Sequence, residues 1–235
     1  MNGASGVRAF LWTPEAGMQA LGGSENSNAY AINDNGVIAG YAMAPDGTTR
    51  GAVWIDGSIH FLPPGAGVAY DVNSAGEVVG SGSPSVVVNG MPWGTAYIWS
   101  AAAGLRTVAT LRGFAGSALG INDAGVVVGW GPHATADSIV HAFASSGGSA
   151  VDLGIPGVSN SVVMKIAANG LKAGRNGSSP AVLWLNDGSM IELRGPPGTS
   201  PYAAEDVNSA GEVAGTAAIS TRRGFTRRAV VWRVF

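Results

Sequence analysis

The chain has no cysteine, so neither a disulfide nor a thiolate metal site contributes to it, and cysteine usage gives no sign of redox compartment. Charge is scarce as well: 12% of the 235 residues are Asp, Glu, Lys or Arg, and the formal net charge is −2. A chain this poor in charge lacks the basic footprint that nucleic acid or an anionic membrane demands. No segment is apolar for long enough to span a bilayer, and no window carries apolar residues at helical spacing over the length of a helix. The N-terminus has no basic start followed by an apolar run, so no signal peptide is visible. A removed leader and a chain cut from a longer one both stay open. One domain with an ample core is expected at this length.

Glycine is what the chain has in quantity, with 37 residues, and its placement is ordered. A ten-residue pattern, Ala31-Ile-Asn-Asp-Asn-Gly-Val-Ile-Ala-Gly40, returns with variation at 71–80, 120–129, 165–174 and 206–215. Its closing glycines (Gly40, Gly80, Gly129, Gly174 and Gly215) are 40, 49, 45 and 41 residues apart. A second motif runs out of phase with it: a small residue, two apolar residues and Trp, ending at Trp12, Trp54, Trp99, Trp184 and Trp232, with a weak copy at 142–145. Asn-x-x-Gly reads as a turn, because Asn hydrogen-bonds the turn backbone and Gly takes the left-handed conformation. Each unit then holds four short strands: Ala-x-x-Ile-Asn first, Val-Val-Gly second, the Trp strand third and a Leu-ending strand fourth.

Units of this length with four strands are blades of a β-propeller. The fold class is therefore all-β, a propeller of four-stranded blades with repeat units at 29–62, 69–111, 118–153, 163–193 and 204–232, the last completed by 8–21. The expected architecture is five-bladed, the fifth blade built from both termini; six blades or a fragment of a longer propeller is the alternative. The count gives 21 strands where five blades need 20, so the Trp strands at 8–12 and 228–232 compete for one place. The five repeat tryptophans are expected to pack between blades.

The units resemble the HAF repeat, named for His-Ala-Phe, through His141-Ala142-Phe143, Arg8-Ala-Phe-Leu-Trp-Thr-Pro14 and Ala29-Tyr-Ala-Ile-Asn-Asp-Asn-Gly36 with its Val-Ile-Ala-Gly40. The resemblance covers essentially the whole chain. It implies a bacterial, extracellular or cell-surface protein with a propeller-like array, and it brings no catalytic residues. The fourth unit departs from the pattern, with Ala167 in place of Asn, and its turn should be less well braced.

Function is expected where one unit breaks the repeat. Trp93 and Trp130 lie outside it, in connections between second and third strands of neighbouring blades, on one face. These connections vary between 6 and 15 residues, and variable loops on a rigid scaffold are where binding resides. The candidate ligand-binding residues are Trp93, Trp130 and His133, with carbohydrate or protein as the partner. No catalytic residue, metal ligand or cofactor is assigned, and the chain is read as a monomer or part of a longer chain. Asp71 and Asp206 hold equivalent places in two first strands; they give the runner-up reading, a glycan-active hydrolase using channel carboxylates. A structural domain of a larger extracellular protein is the third. Asp71-x-Asn73 and Asp206-x-Asn208 resemble the start of a calcium loop but lack its later oxygen ligands. His133, Asp137 and His141 are four residues apart, a spacing that in a loop and strand does not place them on one face. His141 also stands where other units have Arg8, Arg50 and Arg228, and so reads as an edge residue. Arg222, Arg223, Arg227 and Arg228 are expected in a solvated loop.

Overall fold

Each copy of the ten-residue motif folds as a hairpin, and its two glycines do different work. The turn glycines Gly36, Gly76, Gly125, Gly170 and Gly211 have φ of 76°, 75°, 73°, 89° and 77°, the left-handed region that the Asn-x-x-Gly turn requires. The closing glycines have no such φ. They face a β-bulge in the first strand of the hairpin, at Tyr30, Tyr70, Leu119, Met164 and Glu205, where the register slips by one residue. A Cβ at Gly40, Gly80, Gly129, Gly174 or Gly215 would run into the carbonyl oxygen of Asn28, Val68, Ser117, Val162 or Ala203. The bulge thus draws the two strands too close for any side chain.

The computed structural model describes residues 6–234 apart from 24, 84–85, 89–90, 134–138, 155–159, 178 and 222–223, with backbone alone for 86–88, 91–93 and 179–180. Among the described residues the chain is all-β, with 23 strands and no helix. The N-terminal hairpin is β1 (Phe10–Thr13) and β2 (Gly17–Ala20). The first full sheet is β3 (Ser27–Ile32), β4 (Ile38–Met43), β5 (Thr49–Ile55) and β6 (Ser58–Phe61). The second comprises β7 (Val68–Val72), β8 (Val78–Ser81), β11 (Ala96–Ser100) and β12 (Gly104–Thr107), with the hairpin β9 (Val86–Val88) and β10 (Met91–Trp93) inserted between β8 and β11. The third is β13 (Ser117–Ile121), β14 (Val127–Pro132), β15 (Val140–Ser146) and β16 (Ser149–Asp152), and the fourth β17 (Ser161–Ile166), β18 (Lys172–Asn176), β19 (Ser179–Trp184) and β20 (Met190–Glu192). The C-terminal sheet has three strands, β21 (Ser200–Val207), β22 (Glu212–Thr221) and β23 (Gly224–Arg233). Every ladder is antiparallel, and in each full sheet the strands follow the expected order from first to fourth. The strands beyond the expected 21 are β9 and β10.

Five apolar clusters join the sheets in a row. One packs Ala9 and Leu21 against Ile38, Ala52 and Trp54; the next joins Val53 and Leu62 to Val78 and Tyr97. Phe143 fills the third against Val79, Val128 and Trp184 fill the fourth, and Leu183 and Leu193 meet Val213 in the fifth. No ladder joins β2 to β23: β2 pairs with β1, and β23 with β22. Exposed large apolar side chains include Phe10, Trp12 and Met18 on the N-terminal hairpin and Tyr202, Phe225 and Val231 on the C-terminal sheet, with Ile55, Phe114 and Val151 on the sheets between.

The repeat tryptophans divide accordingly. Trp54 (0% exposed) and Trp184 are buried, and their indole N–H groups donate to Gly22 O at 2.7 Å and Leu153 O at 3.0 Å in the preceding sheet. Trp232 is half-buried and makes the same bond to Arg194 O at 2.7 Å. Trp12 is 60% exposed, so it departs from the expected packing between blades. Of the two competing Trp strands, the C-terminal one holds the seat on the fourth sheet. The arginine cluster also departs from a loop: Arg227 and Arg228 belong to β23, where Arg227 stacks over Tyr202 at 3.8 Å from the ring centroid. Arg222 and Arg223 lie outside the described residues.

Candidate functional site

The bulges set the first chemical feature. In four of the five first strands the residue after the bulge (Ala31, Asp71, Lys165 or Asp206) lines a shared cavity of ≈ 390 Å³, completed by Tyr30, Ile32, Ile121 and Ile166; in the third sheet that residue is Gly120. Those residues come from β3, β7, β13, β17 and β21, the first strand of every sheet with a ten-residue motif. Lys165 Nζ donates to Asp71 Oδ1 at 2.6 Å, and the Ile121 N–H donates to Asp71 Oδ2 at 3.0 Å. Both carboxylate oxygens of Asp71 are thereby taken, one by a fixed positive charge. An acid whose two oxygens are both engaged by the protein has neither turned to a substrate. Asp206 is exposed, and its Oδ1 accepts from the Val207 N–H at 2.8 Å. The two acids thus share a cavity without sharing an environment.

Beside the cavity the turn asparagines form a relay. Asn33 Oδ1 accepts from the Asn35 and Val37 N–H groups at 3.0 and 2.9 Å, as turn chemistry requires, while its Nδ2 crosses to Asn73 O at 2.8 Å. Asn73 repeats this, bracing Ala75 and Glu77 and reaching Asn122 O at 3.3 Å. Asn122 braces Val126 and reaches Ala167 O at 3.4 Å. The fourth unit, with Ala167, keeps a single side-chain brace, from Asn169 Oδ1 to the Leu171 N–H at 3.3 Å, while Asn169 Nδ2 donates to Ser209 O at 3.0 Å as Asn35 Nδ2 does to Ser74 O at 2.8 Å. Asn208 Nδ2 donates to Glu212 Oε2 at 2.9 Å, as Asn73 Nδ2 does to Glu77 Oε2 at 2.9 Å. Asp71 and Asn73 direct their oxygens to different partners, Asp71 to Lys165 and the Ile121 N–H and Asn73 to the N–H groups of its own turn.

The second feature is the face that carries the second-to-third connections. Trp93 ends β10, and its backbone is described but its side chain is not. Trp130 is half-buried and lies within β14, not in the connection that follows, because pairing with Ser117 and Ala142 continues past the motif glycine to Pro132. The two positions are neighbours in space. Gly94 O accepts from the Gly116 N–H at 2.9 Å, and Gly116 lies so close to the Trp130 carbonyl that a Cβ there would overlap it.

His133 follows β14 on the same side, where it meets two residues that spacing alone did not gather. His141 does not behave as an edge residue: it is 4% exposed, on a strand paired on both sides. Its Nδ1 lies 3.0 Å from both oxygens of Asp152. His133 Nε2 lies 3.8 Å from Asp152 Oδ2, and the two imidazole rings meet edge-on at 4.3 Å between centroids. Asp137, the third member suggested by spacing, lies outside the described residues. Spacing along the chain does not reveal Asp152, because its approach to His141 depends on the β15–β16 register, which pairs Phe143 with Asp152. His60, on β6, is exposed.

Fold and sites together define a class: an all-β array of repeated four-stranded antiparallel sheets, with a cavity lined by their first strands. Comparison with known family models gives no match, and no curated protein is similar to the chain.

Proposed function

We propose that the chain is a non-enzymatic binding module whose sheets are the blades of a five-bladed β-propeller, with a carbohydrate or protein ligand held on the face around Trp93, Trp130 and His133. One observation carries the binding reading: the longest second-to-third connection, at 82–95, reaches the neighbouring sheet, where Gly94 O accepts from the Gly116 N–H directly beside the Trp130 carbonyl. Neither the turns nor the inter-sheet cores need that elaboration. The propeller reading is supported by the first strands of five sheets lining one cavity. In it, β1–β2 and β21–β23 share the fifth blade position.

The hydrolase alternative draws less support, since Asp71 is occupied by Lys165 and the Ile121 amide. Extracellular or cell-surface placement, and use within a longer protein, rest on the HAF-like motifs alone. The test is a glycan array and a pull-down with immobilised chain, run for the wild type, Trp93→Ala and Trp130→Leu. Loss of one signal in both variants, at a temperature well below their melts, supports the face and tells sugar from protein. Signals unchanged in both variants overturn it.

A further inference from the structure

One side-chain cluster outside the cavity lined by the first strands has a chemistry that the scaffold does not require. His133 follows β14, His141 lies in β15 and Asp152 ends β16, so three successive strands of one sheet deliver two imidazoles and a carboxylate to a single point. One ligand atom from each lies within 4.8 Å of the other two. We propose that His133, His141 and Asp152 form a binding site for a divalent first-row transition cation, zinc foremost. The inference is independent of the binding-module reading and shares only His133 with it.

The donor set chooses the class of ion. Two imidazole nitrogens and one carboxylate suit Zn²⁺ and its neighbours, whereas Ca²⁺ and Mg²⁺ take oxygen ligands. Zinc bonds of about 2.0–2.2 Å in a tetrahedron hold ligand atoms roughly 3.3 Å apart. The observed separations of 3.0 Å (His141 Nδ1 to Asp152 Oδ2) and 3.8 Å (His133 Nε2 to Asp152 Oδ2) bracket that value. His133 and Asp152 keep 24% and 37% of their side-chain surface exposed, so both can adjust and an ion has a way in. Buried His141 is the fixed member.

The surroundings fit as well. The Gly154 N–H donates to Asp152 Oδ1 at 2.8 Å, the outer bond that orients a ligating carboxylate. Gly154 also leaves the space against His141 open, because a Cβ there would overlap the imidazole ring. At the place of His141 the first full sheet has Arg50, which instead pairs with Asp46. With three protein ligands, a fourth coordination position is left for water or a ligand group, as in zinc sites that act on or hold another molecule.

The experiment uses the untagged, metal-stripped chain. Calorimetric titration with Zn²⁺ and visible spectroscopy with Co²⁺ are expected to show one ion per chain, with a melting temperature that rises with metal concentration. His133→Ala and Asp152→Asn, checked for retained folding by circular dichroism, are each expected to weaken binding at least tenfold. Gly154→Ala should do the same with all three ligands present. Absence of saturable one-to-one binding overturns the proposal, as does one-to-one binding unchanged in both ligand variants. If a variant does not fold, the X-ray absorption spectrum of the zinc-loaded wild type decides: imidazole scattering supports the site, and an all-oxygen shell overturns it.

Discussion

The motif glycines look alike in the sequence and are held by different physics. Gly125 needs a positive φ and a Cβ there would meet open space, so Gly125→Asn is expected to cost at most about 1 kcal/mol, since Asn visits that region readily. Gly129 has no room for a Cβ against Ser117 O, and Gly129→Ala is expected to cost about 2–4 kcal/mol through backbone displacement. Urea melts of the two variants check the contrast. The tryptophans give a second one. Trp54→Ala removes a buried ring and an inter-sheet hydrogen bond and should cost about 3–5 kcal/mol, while exposed Trp12→Ala should stay under about 1 kcal/mol. The turn role of Asn and Gly was legible because it is local chemistry. The bulge was not, because it depends on the register between two strands.

At the scale of strands and sheets, the repeat spacing placed each four-stranded sheet and its strand order. The β9–β10 hairpin was missed although its signal was present, an Asn89-Gly90 pair between apolar residues. The asparagine relay was beyond reach, since it depends on how one sheet sits against the next. Tyr97 shows what such packing does to a titratable group. Its hydroxyl donates to Val68 O at 2.9 Å, and burial pushes its pKa far above the ordinary 10.0. The folded state therefore holds the phenol neutral where the unfolded chain would ionise it. The stability this gives is complete below pH 10.0 and falls as pH rises beyond it. Tyr97→Phe is expected to abolish that alkaline loss, at a cost of about 1 kcal/mol near neutrality; melts scanned from pH 8 to pH 11 measure both.

Across the whole molecule, two systems describe how far the array extends. The inter-sheet cores and the asparagine contacts both run from the N-terminal sheets to the C-terminal one, where Asn169 reaches Ser209 O. The N-terminal hairpin and the C-terminal sheet both keep apolar rings in solvent, with Trp12 60% and Phe225 61% exposed. Closure of the proposed propeller predicts that outward amides of β23 are protected in hydrogen exchange, to a degree comparable with β14; rapid exchange along that edge would favour an open row. The candidate face was legible only as a pair of out-of-pattern tryptophans and a histidine. Its depth, with His141 and Asp152 behind His133, appears only when three strands are brought side by side.

The central claim is that the repeat builds a scaffold and that binding belongs to the face the repeat does not control. Ligand affinity, measured side by side for the wild type, Trp93→Ala, Trp130→Leu and Asp71→Asn, tests it most directly. The two Trp variants are expected to lose at least tenfold in affinity. Asp71→Asn, which breaks the Lys165 pair in the cavity lined by the first strands, is expected to lower the melting temperature and to bind as tightly as the wild type. Binding lost in Asp71→Asn and kept in both Trp variants would contradict it.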